Sequence, residues 1–182
     1  MIKAQDIVVL AKLLVYQTGK NWSQNSIAFE LCLTPSQINY ALKRLVAVGL
    51  ITPYHPPAKP QPIIQACEEF FLHGLKYVFP AKLGELVRGI PTSYAAPSLS
   101  DQIVAGSDPI PVWPYGEGND RGLALKPLYS SVPESVTRHP DPLFYDLLTL
   151  IDAIRSGRVR ERQIAAQKIS TILKTKKLVP NE

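Results

Sequence analysis

Apolar residues recur at helical spacing near both ends of the chain, and the pattern breaks up between them. Ile7, Leu10, Ala11 and Leu14 repeat every three or four positions, which predicts a helix closed at "TGKN" from Thr18, with Gly19 as its C-cap. Ser23 caps a second, short helix with Ile27, Ala28 and Leu31 on its inner face. Thr34 and Pro35 open a third, because the threonine oxygen accepts a free backbone N–H and proline suits the first turn. That helix runs to about Val48 and stops at Gly49. At the other end, Asp141-Pro142 is an N-cap followed by an N1 proline, ahead of the stripe Phe144, Leu147, Leu148, Ile151 and Ile154. Gly157 punctuates it, and a further helix from about Arg160 to Lys174 carries Ala165, Ile169, Ile172 and Leu173 inward.

Fifteen of the seventeen prolines lie between Pro53 and Pro142, a density that helices cannot run through. One helix fits, around Ala66–Leu75, together with short strands at Ile110–Trp113 and Leu123–Leu125. Those strands bracket "PYGEGNDRG", which has the chemistry of a surface turn. The expected fold class is mainly α with a few short β-strands.

Composition narrows the function classes. At 46% hydrophobic and 19% charged, the chain can bury a real core. No apolar run approaches the roughly 18 residues a membrane span needs, and no secretory leader precedes the first helix. A cytoplasmic protein with reduced, core-packed Cys32 and Cys67 and no membrane partner is therefore expected. The net charge of +5 is unevenly spread. Residues 1–62 hold six Lys/Arg against two Asp/Glu, a net of +4. Residues 63–134 hold five against eight, a net of −3, and residues 135–182 hold nine against five, a net of +4. Two basic ends flanking an acidic middle favour a polyanionic partner at the ends.

The third helix sharpens that expectation. On a helix from Pro35 to Val48, Ile38, Ala41, Leu42 and Leu45 face inward, while Ser36, Gln37, Asn39, Tyr40, Lys43 and Arg44 face outward. The outward set has no carboxylate, whereas a solvated face normally mixes both signs. Amides bond base edges in the major groove, and lysine and arginine meet phosphates or guanine. With the preceding helix and tight turn, "LCLTPSQINYALKRLVAVGLI" resembles the winged helix-turn-helix of MarR-like bacterial transcriptional regulators. The resemblance covers Ile2 to Gln65, about a third of the chain. It implies a winged helix-turn-helix domain over residues 1–65, with Ser36, Gln37, Asn39, Tyr40, Lys43 and Arg44 facing the groove. Residues 66–182 then form a Pro-rich irregular segment and C-terminal helices, an α-rich domain for a partner, a ligand or dimerisation. The wing departs from the family pattern, since "TPYHPPAKPQPIIQ" places five prolines where a charged hairpin is usual. His55 and Lys59 on that stiff loop are candidate phosphate contacts.

Other candidates are weaker. His55, His73 and His139 lack metal-ligand spacing, and His73, in "FFLHGLKYVF", is expected to be packed. Neither cysteine belongs to a nucleophile motif, "GEGNDRG" lacks the strand-to-helix context of a phosphate cradle, and Arg88 in "LVRGIPTSYAAPSL" is expected at a structural corner. Neither a metal, nor a cofactor, nor enzymatic activity is expected. Arg155, Arg158, Arg160 and Arg162 leave two readings open: contacts to DNA phosphates, or packing against the domain or a second protomer with pairing to the acidic middle. The favoured function is a sequence-specific regulator that binds double-stranded DNA as a homodimer. The alternative is a protein-binding module, such as an antitoxin that neutralises a co-encoded partner through the acidic middle and represses its own operon.

Overall fold

The computed structural model describes residues 1–16, 21–103 and 106–177, so the C-cap expected at Gly19 lies outside the described residues. The chain is mainly helical, with one small three-stranded sheet. Helix α1 (Ala4–Tyr16), α2 (Gln24–Glu30) and α3 (Pro35–Ala47) come first, as the periodicity predicts. Then follow α4 (Ile64–Glu69), a π turn (Phe70–Gly74) and α5 (Leu75–Val78) in one continuous helical run. After the sheet come α6 (Val132–Arg138), α7 (Pro142–Ser156) and α8 (Val159–Lys177).

Helix α1 is buried on every side, not on one face, because α3 and α7 both pack against it. A helix apolar all round suits that position. Its two charged residues are paired: Asp6 with Arg44 of α3, and Lys12 with Glu30 of α2 at 2.7 Å and Asp141 at the start of α7 at 3.0 Å. The Lys12 ammonium also lies 4.7 Å from the Phe144 ring centroid. Asp141 caps α7 by accepting from the Phe144 N–H, and the expected stripe Phe144, Leu147, Leu148, Ile151 and Ile154 is buried. A single apolar cluster runs from Ile7 through Leu45, Cys67 and Ile151 to Leu173, continuous across Gln65.

In the sheet, β1 (Leu83–Pro91) pairs antiparallel with both β2 (Pro111–Pro114) and β3 (Asp120–Leu125). Strands β2 and β3 also pair with each other in parallel, Pro111 opposite Leu123, which closes a small barrel. Closure demands glycine: a Cβ on Gly122 would stand 2.0 Å from the Ile110 carbonyl oxygen, and one on Gly118 2.2 Å from that of Gly89. The "GEGNDRG" segment is thus only partly a surface turn. Its polar side chains are exposed while Gly118 and Gly122 are pressed against neighbouring backbone.

Strand β1 and helix α6 have no counterpart in the sequence expectation. His73 corrects it outright, being exposed rather than packed. Cys67, Phe71 and Leu75 form the buried stripe of this run at four-residue spacing, and His73, two positions from Phe71 and Leu75, falls on the opposite side. Arg88 is exposed on β1, beside neither a corner nor a carboxylate partner among the described residues.

Candidate nucleic-acid interface

Two reciprocal caps and two left-handed residues fix α3 in space. Ser23 and Ser26 exchange bonds at the start of α2, Ser26 N–H to Ser23 Oγ at 3.0 Å and Ser23 N–H to Ser26 Oγ at 2.8 Å. After α2 ends at Glu30, Cys32 has φ of 53° and lets the Leu33 N–H reach the Ala28 carbonyl at 2.9 Å. Two residues later Thr34 caps α3, its backbone N–H donating to Gln37 Oε1 at 2.8 Å while Gln37 N–H returns to Thr34 Oγ1. Gly49, with φ of 73°, closes α3 in the same way, the Leu50 N–H bonding the Leu45 carbonyl at 3.0 Å. Ile38, Ala41, Leu42 and Leu45 are buried as expected.

The outward set divides in two. Ser36, Tyr40 and Lys43 are exposed and Asn39 is partly so, with the Lys43 ammonium 5.8 Å from the Tyr40 ring centroid. Gln37 is committed elsewhere, since its Oε1 serves the cap and its Nε2 donates to the Tyr129 hydroxyl at 3.1 Å. Arg44 does not face outward. Its guanidinium turns to α1 and grips both oxygens of the buried Asp6, which the charge of that carboxylate requires. Hydrogen bonding to Asp6 accordingly pushes the Arg44 pKa up.

After α3 the chain forms a narrow hairpin. Its prolines restrict the ladder to two isolated bridges, Ile51 with Pro62 and His55 with Ala58, supported by the Thr52 N–H donating to the Gln61 carbonyl at 2.8 Å. His55 is exposed at the tip. Lys59 is not free, because its ammonium donates to Asn21 Oδ1 at 2.6 Å and to the Trp22 carbonyl, tying the hairpin to the start of α2. Between hairpin and α3 lies a cavity of about 540 Å³, floored by Trp22, Leu42, Val46 and Pro60 and rimmed by Asn39 and Lys43. Trp22 and Tyr54, both lining it, stand outside the helical pattern that singled out the rest, and only their aromatic character marks them.

The C-terminal arginines do not act together. Arg155 is enclosed, donating to Asp152 Oδ1 at 2.6 Å and to the Phe79 carbonyl at 2.8 Å. Asp152 also accepts from Trp113 Nε1 and Thr92 Oγ1, and burial pushes its pKa up. Arg162 donates to the Gly157 carbonyl, while Arg158 and Arg160 are exposed. Helix α8 packs on α7 and α4, and α3 packs on α1 and α2. Arg155 is thus enclosed within the chain, and its carboxylate partner lies on its own helix and not in the acidic middle.

The exposed Ser36, Tyr40 and Lys43 and the half-buried Asn39 offer two hydroxyls, a cation and an amide along one helix face, groups that bond base edges and phosphates. Among the described residues, no cluster of three or more His, Cys, Asp or Glu is placed to hold a metal, and no helix is long and apolar enough to cross a membrane. Compared with protein-family models, curated proteins and solved structures, the chain matches none.

Proposed function

We propose that this protein is a sequence-specific DNA-binding regulator of the winged helix-turn-helix type. Helix α3 lies in the major groove, and the 51–62 hairpin stands in the place of the wing. The observation that carries the reading is the carboxylate-free outer face of α3, where Ser36, Asn39, Tyr40 and Lys43 are accessible and, among the described residues, none is paired with a carboxylate. Asn39 is placed to read a base edge, Lys43 and Ser36 to meet phosphate, and His55 to touch the backbone from the hairpin tip. One helix of this length spans few base pairs, so a homodimer on a two-fold site is the binding form. The test is titration of the purified protein into fluorescent DNA from its own upstream region and into scrambled DNA, across a salt series. Selective binding that weakens with salt supports the reading, and weak, equal binding to both DNAs overturns it.

A second reading, a protein-binding module such as an antitoxin, draws on a different surface. Tyr77, Val78, Leu83 and Leu86 are large apolar side chains exposed within ten residues of one another. A stable complex with a co-encoded protein that survives Asn39→Ala would favour it.

A further inference from the structure

We infer that the cleft between the sheet and the Leu128–Pro133 segment is a second phosphate-contact surface, in which Lys82 and Lys126 hold the DNA backbone beside the α3 groove contact. The inference rests on the DNA-binding reading above. Leu83 of β1 lies opposite Leu125 of β3 in an antiparallel ladder. One residue beyond that pair on each strand, Lys82 and Lys126 border the same cleft. Both side chains are exposed, and among the described residues neither ammonium meets a carboxylate. Both ammonium groups are therefore left to meet an anion from outside the chain.

The surroundings say which anion. The two lysines border a cleft of about 700 Å³ whose walls include Gly84, Ala124, Tyr129 and Ser130, with no acidic residue among them. Tyr129 is also the residue whose hydroxyl accepts from Gln37 at 3.1 Å. Tyr129 thus ties one wall of the cleft to the N-terminal turn of α3. Two point charges without a fixed fork suit phosphate and ask for no particular base.

The other face of the same ribbon supplies a control. Arg88 and Arg121 are opposed in the ladder, and they are likewise exposed and without a carboxylate partner among the described residues. They lie with Leu83 and Leu123, which border a separate cavity together with Arg158. Replacing this pair removes the same charge from the wrong side.

The test compares wild type, Lys82→Gln/Lys126→Gln and Arg88→Gln/Arg121→Gln for binding to the upstream and scrambled DNAs as salt is varied. If the wild type binds neither DNA, the DNA-binding reading falls and this one with it. If it binds, the lysine variant is expected to lose about 1.8 from the magnitude of the slope of log affinity against log salt. It should weaken on both DNAs alike, because phosphate contacts carry no sequence information. The arginine variant is expected to keep the wild-type slope. An unchanged slope in the lysine variant, or an equal loss in both variants, overturns the inference while leaving the α3 contact standing. Equal unfolding midpoints in urea across the three proteins exclude loss of fold as the cause.

Discussion

Asp6 and Arg44 meet face to face between α1 and α3, Nε to Oδ2 at 2.8 Å and Nη2 to Oδ1 at 2.7 Å, with the carboxylate fully buried. Removing one partner of such a pair leaves an uncompensated charge in the core, at a cost of about 3–5 kcal/mol. Arg44→Ala is therefore expected to lower the urea midpoint sharply. Lys12→Met should cost much less, about 1 kcal/mol, because Glu30 and Asp141 keep 21% and 23% of their side chains exposed and can hydrate. Equal losses in the two variants would refute the distinction. DNA binding lost in Arg44→Ala then says nothing about base reading.

Why Arg44 was misread from sequence has a physical answer. It lies three residues from Ala41 and one from Leu45, at the border of the buried stripe, and helical periodicity alone cannot say to which side a long side chain leans. The deciding fact was Asp6, a fully buried carboxylate thirty-eight residues away. Caps were legible because Ser23, Thr34 and Asp141 act within three residues of themselves. The same locality made the exposed Ser36, Asn39, Tyr40 and Lys43 legible. Strand β1 was hidden for the opposite reason. Residues 83 to 86 are exposed on a strand with a bulge, so no period of two survives in Leu83–Pro91. That Lys82 and Lys126 share one cleft follows from strand pairing, which joins residues far apart in sequence.

Alkaline pH should weaken the fold. Burial pushes the Tyr145 hydroxyl, which donates to the Pro91 carbonyl, up to about 12 from an ordinary 10.0. The buried Cys67 thiol, which donates to the Leu50 carbonyl, also rises to about 12, from 9.0. In both cases the unfolded chain releases its proton first, so stability is complete below the unfolded value and falls as pH climbs toward 12. Urea unfolding between pH 8 and 11 should show midpoints declining from about pH 9. Tyr145→Phe should make the decline above pH 10 shallower, leaving the share that Cys67 contributes. A flat profile in the wild type would contradict the burial of both groups.

Barrel closure predicts a sharp response at one small residue. Gly122→Ala would place its Cβ 2.0 Å from the Ile110 oxygen and 2.9 Å from Val112 Cγ1, neither contact being relieved by a flexible side-chain end. The expected loss is about 3 kcal/mol or more, in the range of overpacked cores. Trp113 sits on β2 with its indole bonded to Asp152, so its fluorescence reports the barrel directly. Gly116→Ala, where an added Cβ meets nothing within 4 Å, is the matched control and should leave stability within about 0.5 kcal/mol. An equally stable Gly122→Ala would mean that the strands do not close as described.

Asn39 and Lys43 lie one turn apart on the exposed face of α3, and under the DNA-binding reading they fail in different ways. An amide that bonds a base edge discriminates by about 1–3 kcal/mol, so Asn39→Ala should weaken binding to the upstream DNA roughly ten- to hundredfold and leave scrambled DNA untouched. Lys43→Ala removes a phosphate contact, so both DNAs should weaken together and the salt slope should fall by about 0.9. Neither substitution touches a buried partner, so unfolding midpoints should match the wild type. Binding isotherms on the two DNAs at two salt concentrations separate the roles. If Asn39→Ala weakens both DNAs equally, α3 meets only the backbone, and sequence selection must come from another part of the protein.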